Sequence, residues 1–140
     1  MTNVFDLLIY SDGGSRGNPG PSAIGFLICN GKGEVLLSHG EYIGIHTNNQ
    51  AEYLALISAL EHARTYSRGK IRCFLDSELV VKQLNGAYKV RDRKLRNLFS
   101  KLKSLEKNFK GLKYSHVPRN TSKLLEVDGL VNKTLDSKLK

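Results

Sequence analysis

The sequence predicts an α/β fold: a five-stranded mixed sheet, three antiparallel strands followed by two parallel ones, with helices on both faces. Three observations carry that prediction. Short apolar blocks give way to helical spacing in the order three strands, helix, strand, helices, strand, helix. The first three strands follow one another directly, as in an antiparallel meander, whereas each later strand follows a helix, the connection that parallel strands require. A length of 140 residues, with no linker, repeat or low-complexity block, fits one domain with a single modest core over 1–140.

Each element has its own signal. Val4–Ser11 is a nearly continuous apolar strand ending at Asp12-Gly13-Gly14, and Arg16–Pro21 is turn chemistry throughout. Ala23–Cys29 and Glu34–Ile43 are strands that Asn30-Gly31-Lys32-Gly33 joins into an antiparallel hairpin. Thr47 or Asn48 caps a helix reaching about Tyr66, because Ala51, Leu54, Ala55, Ile57 or Leu60, and Ala63 recur at helical spacing. Lys70–Leu75 reads as a buried strand ending at Asp76-Ser77, followed by a short helix over Glu78–Asn85 that stops at Asn85-Gly86. Leu95, Leu98, Phe99, Leu102 and Leu105 mark one face of the next helix, with Lys and Arg on the other. Leu112–Val117 is the last strand, broken by Pro118. A closing helix begins near Lys123 and frays in the Lys-rich tail.

Charge narrows the function. Lys and Arg number 22 against 13 Asp and Glu, a net charge of +9. The excess lies entirely in the second part of the chain: residues 1–80 carry 6 basic and 8 acidic side chains, residues 81–140 carry 16 and 5. That asymmetry favours a polyanionic partner, nucleic acid first. The longest apolar stretches, Val4–Tyr10 and Ala23–Cys29, fall far below the roughly 18 residues of a membrane span. Met1-Thr2-Asn3 opens no export signal. Cys29 and Cys73 lie within apolar runs and are expected as reduced core residues of a cytoplasmic protein; their spacing suits neither a zinc site nor a disulfide framework.

The carboxylates are the sharpest signal. Asp12 and Asp76 each stand at the carboxyl end of an expected central strand, and parallel neighbours would open both into one crevice, where open α/β sheets bind ligands. Glu52 lies in the first turn of its helix, and Leu56, Ala59, Leu60 and Ala63 follow at helical intervals, which puts it on the buried edge of the apolar face. Each acid alone also has a plain use: Asp12 in a turn, Glu52 at a helix start, Asp76 as a cap. Three acids converging would repel one another unless a cation neutralises them, and a carboxylate-oxygen set suits Mg²⁺ or Mn²⁺. Two such ions about 4 Å apart hydrolyse phosphodiesters. A polyanionic substrate matches the basic second half.

Three motifs then add up. Tyr10–Pro21 (YSDGGSRGNPGP), Thr47–Tyr53 (TNNQAEY) and Asp76–Val81 (DSELVV) resemble type 1 ribonuclease H, in the short form typical of archaea and some bacteria, and the order of elements agrees over essentially the whole chain. The resemblance implies the ribonuclease H-like fold and an endonuclease that cuts the RNA strand of RNA–DNA hybrids with two Mg²⁺ ions, for which Mn²⁺ substitutes, leaving 5′-phosphate and 3′-hydroxyl ends. By motif, Asp12, Glu52 and Asp76 are metal ligands, with Asp12 bridging the ions. Asp128 is the best match to the family's fourth acid, with Glu126 and Asp136 as competitors. Asn18, Asn48, Asn49 and Gln50 would face the minor groove and its 2′-hydroxyls, while Thr47, Asn49 and Ser77 would grip a phosphate of the DNA strand. The same side chains serve as turn and cap residues.

The chain also departs from the pattern. Where relatives carry a loop histidine near the final acid, the strand here ends in His116-Val117-Pro118-Arg119-Asn120, similar to the branch typical of archaea and some bacteria, and that resemblance implies Arg119 as the functional substitute, with His116 a strand residue. No Trp is present and the Asn85–Arg93 connection is short, so the basic protrusion of some relatives is missing. The Lys and Arg of residues 89–113 would then supply backbone affinity. No additional hybrid-binding domain and a monomer are expected. Double-stranded RNA stands as a further substrate that the residues do not separate from the hybrid, and a binding module without catalysis is the reading from another functional class.

Overall fold

A computed structural model describes residues 4–139; the Met1-Thr2-Asn3 segment on which the export expectation rests lies outside them. The elements are β1 (Leu7–Ser15), β2 (Gly20–Asn30), β3 (Val35–His46), α1 (Asn48–Ala63), β4 (Lys70–Leu75), α2 (Glu78–Leu84), α3 (Arg93–Glu106), β5 (Gly111–His116) and α4 (Ser122–Lys138). They form one sheet in the order β3-β2-β1-β4-β5. β1 pairs antiparallel with β2 and β2 with β3, while β1 pairs parallel with β4 and β4 with β5. The mixed sheet expected from the sequence is therefore the one observed.

Strand alternation sorts β1 onto two cores. Leu7 and Ile9 join Ile71, Cys73 and Leu75 of β4 beneath α1, α2 and α3, including Leu56, Leu60, Val80 and Leu102. Leu8 and Tyr10 pack on the opposite side, against Leu27, Cys29 and Val127 of α4. A strand covered on both faces needs apolar residues at every position, which explains the unbroken run in the sequence. Cys29 and Cys73 are buried and free, as their apolar surroundings predict.

The main departure concerns β1. The sequence marks Asp12-Gly13-Gly14 as the end of the strand, yet β1 continues to Ser15, paired with Ser22 of β2. Gly13 is there for space. A Cβ at that position would sit 2.2 Å from the carbonyl carbon and oxygen of Ala51, so only glycine lets α1 approach β1 this closely. At its other end β1 begins at Leu7, but Asp6 stays attached to β4, accepting the Lys70 N–H at 2.9 Å through its carboxylate.

Thr47 is the N-cap of α1, and Gln50 closes the capping box. The Gln50 N–H donates to Thr47 Oγ1 at 3.1 Å and the Thr47 N–H donates to Gln50 Oε1 at 3.0 Å. The helix ends at Ala63, because Tyr66 N–H turns back to the Ala63 carbonyl at 2.9 Å. Asp92 caps α3, whose Leu95, Leu102 and Leu105 are buried with the basic side chains outward. No helix among the described residues is long and apolar enough to cross a membrane.

Candidate active site

The parallel register of β1 and β4 builds the floor of the site. Tyr10 lies opposite Phe74, and two residues farther along stand Asp12 in β1 and Asp76 just past the end of β4. Glu52 arrives from the first turns of α1 and accepts the Gly13 N–H at 3.1 Å through Oε1. The close approach at Gly13 thus carries Glu52 to the side of Asp12. One carboxylate oxygen from each of Asp12, Glu52 and Asp76 lies within 4.8 Å of the others.

Burial makes this arrangement costly without a cation. Asp12 is 5% exposed and Glu52 7%. Desolvation is the main cause that raises the Asp12 pKa; the nearby Asp76 and Asp128 charges raise it further, while the Glu52 hydrogen bond and Arg119 pull it down. Glu52 is pushed well above the ordinary carboxylate value, first by burial and then by Asp12, against the pull of the Gly13 N–H. Asp12 Oδ1 and Glu52 Oε2 are buried with no hydrogen-bond partner. A divalent cation would satisfy both oxygens and reverse the pKa logic. An all-oxygen donor set fits a hard ion of the Mg²⁺ or Mn²⁺ kind.

The surrounding cavity has a volume of about 440 Å³. Asp128 of α4 lines it, with its carboxylate accepting from Asn132 Nδ2 at 3.2 Å, but Asp128 stands apart from the three gathered acids. Of the competing acids, Glu126 is exposed and outside the cavity lining, and Asp136 pairs with Arg16 at 2.6 Å. Arg119 also lines the cavity and donates from Nε to Asp76 Oδ2 at 2.8 Å, whereas His116 is an exposed residue of β5 outside the lining.

Asn48, Asn49 and Ser77 line the same cavity. Asn18, Thr47 and Gln50 line an adjoining depression of about 280 Å³, which Asn49 joins to the first. Several of these residues have structural work as well. Asn18 Oδ1 accepts the Asn48 N–H at 3.0 Å, Asn48 Oδ1 accepts the Ser15 N–H at 2.9 Å, and Ser77 caps α2. The two asparagine bonds hold the β1–β2 loop against the start of α1.

LC11-RNase H1, crystallised in complex with an RNA/DNA hybrid, is 40% identical, with a TM-score of 0.89 over 96% of this chain and 99% of that one. The chain belongs to the ribonuclease H1 family. RNase H1 of Halobacterium salinarum is 42% identical in structure comparison, with a TM-score of 0.88 over 94% of this chain and 98% of that one. Ribonuclease HI of the same organism is 44% identical over 127 residues, 91% of this chain and 63% of that protein, so the chain spans less than two thirds of that curated relative. A family model described as reverse transcriptase-like matches residues 10–132.

Ribonucleases H are metal-dependent, and the gathered acids of this family member offer a site for metal. Reading the sequence missed Arg16 and Asn132, which also line the cavity. A signal existed for Asn132, since it lies one turn beyond Asp128 on the same helix face. Arg16 was hidden inside a glycine-rich segment that reads as a turn.

Proposed function

We propose that this chain is a metal-dependent endoribonuclease that hydrolyses the RNA strand of RNA–DNA hybrids, leaving 5′-phosphate and 3′-hydroxyl ends, acting as a monomer in the cytoplasm. The convergence of Asp12, Glu52 and Asp76, two of them buried with orphaned oxygens, is the observation that carries this reading. Asp12, Glu52, Asp76 and Asp128 would hold two Mg²⁺ ions, with Mn²⁺ able to substitute. Bound there, the ions supply a nucleophile from water and stabilise the leaving oxygen. Likeness to an RNase H1 crystallised with an RNA/DNA hybrid supports the choice of substrate.

The chain's own residues do the rest. Gly13 and Tyr10 set Asp12 and Glu52 in place before substrate arrives. Arg119, paired to Asp76, keeps a positive charge beside the carboxylates where product phosphate must leave. Asn18, Asn48, Asn49 and Gln50 present amides along one rim, where they can read ribose hydroxyls. Thr47, Asn49 and Ser77 would take a phosphate of the DNA strand.

A labelled RNA–DNA hybrid, compared with matched RNA and DNA duplexes in Mg²⁺, Mn²⁺ or EDTA, tests the proposal. EDTA-sensitive cutting confined to the RNA strand of the hybrid is expected. Binding without cutting in either metal would point to a nucleic-acid-binding module instead.

A further inference from the structure

We infer that Arg16 is an additional phosphate-binding residue of this site, parked on Asp136 and transferred to a backbone phosphate of the strand that enters over the carboxylates; the inference rests on the hybrid-cleaving function proposed above. Two cations line the cavity, Arg16 and Arg119. Arg119 donates from Nε to Asp76 Oδ2, one of the gathered carboxylates. Arg16 instead uses one terminal nitrogen to reach Asp136 Oδ1 at 2.6 Å and the Asn132 carbonyl at 3.5 Å. Asp136 is 67% exposed and is not part of the cavity lining.

An ion pair this exposed contributes little and is readily exchanged. A phosphate offers the guanidinium fork two oxygens in matching geometry, a better partner than a single solvated carboxylate oxygen. The exchange needs only side-chain rotation, because the backbone is pinned. Arg16 N–H donates to the Pro21 carbonyl at 2.8 Å, and the preceding Ser15 N–H is held by Asn48. Arg16 therefore keeps a set distance from the Asn48 and Asn49 amides. A cation on this rim also gives an entering polyanion a point of contact beside the acid-lined cavity.

Hybrid cleavage and metal-free hybrid binding, measured over a range of salt concentrations for wild type, Arg16→Ala, Arg16→Lys and Asp136→Asn, test this. Arg16→Ala should raise KM about tenfold, the effect of removing one charge-assisted hydrogen bond, with kcat nearly unchanged. Its log-affinity against log-salt slope should be shallower by roughly 0.9. Arg16→Lys should restore the slope and only part of the affinity, and Asp136→Asn should lower KM. A pair that merely ties α4 to the β1–β2 loop would make Arg16→Ala and Asp136→Asn fail alike, with matched drops in melting temperature. That result, or an unchanged KM and slope in Arg16→Ala beside an active wild type, overturns the inference alone. A wild type that neither binds nor cuts the hybrid overturns the functional proposal, and this inference with it.

Discussion

Tyr10 and Phe74 are register partners on parallel strands, with rings stacked 4.8 Å apart, and Asp12 and Asp76 stand two residues beyond them. Strand alternation points each acid to the same side as the aromatic ring that precedes it. The stacked pair therefore fixes the relative height of the two carboxylates. Glu52 completes the group from a helix that only Gly13 allows to come so close.

The raised carboxyl groups predict an inverted pH dependence of stability in the absence of divalent ions. Asp12 and Glu52 have higher pKa values in the folded chain than in the unfolded one, so the folded state binds more protons. Their contribution is present at low pH and is lost as pH rises from the ordinary carboxylate range, about 4, through the raised folded values. Melting temperature in EDTA should fall along that limb, and Mg²⁺ or Mn²⁺ should flatten it. Glu52→Gln should raise the EDTA melting temperature near neutral pH. A limb that Glu52→Gln leaves unchanged would show that the burial of Glu52 does not set it.

Gly13→Ala tests the packing that delivers Glu52. The new methyl would meet the Ala51 carbonyl at 2.2 Å and the Glu52 nitrogen at 2.7 Å, both backbone atoms. Denaturant unfolding should show a destabilisation of about 3 kcal/mol, at the upper end of overpacking effects. Activity at low temperature, where the variant is still folded, should drop as Glu52 is displaced.

Asp128 and Glu126 should separate cleanly. Asp128→Ala should lower hybrid cleavage by about a hundredfold, the scale of removing one electrostatic group from an active site, while Glu126→Ala retains wild-type rates. Equal impairment of the two variants would reassign the fourth acid.

The exposed Lys89, Arg91 and Arg93 lie just before or at the start of α3. If they bind phosphates, replacing all three with Ala should reduce the salt slope of hybrid binding by roughly 0.9 for each phosphate they neutralise. An unchanged slope would confine backbone recognition to the cavity rim.

Much of this was legible because local patterns and tertiary packing agree. The apolar run of β1, the hairpin turn at Asn30–Gly33 and the Thr47–Gln50 box each declare their element, and the three acid motifs declare the site. What escaped depends on contacts distant in sequence. Gly13-Gly14 looks like a strand terminator until α1 is seen pressing on Gly13. The choice among Glu126, Asp128 and Asp136 cannot be made from spacing alone. Leu124, Val127, Val131 and Leu135 bury one face of α4, and Asp128 flanks that face beside the cavity. Arg16 owes its position to a loop closed by Pro21 and Asn48, partners no local pattern reveals.

The most direct measurement is single-turnover cleavage of an RNA–DNA hybrid by wild type and Asp76→Asn in Mg²⁺ and Mn²⁺, with melting curves of both. Metal-dependent cutting by wild type and a rate at least about a thousandfold lower in Asp76→Asn, at an undiminished melting temperature, is the predicted result. An Asp76→Asn chain that folds and still cuts the RNA strand at the wild-type rate would contradict the carboxylate mechanism.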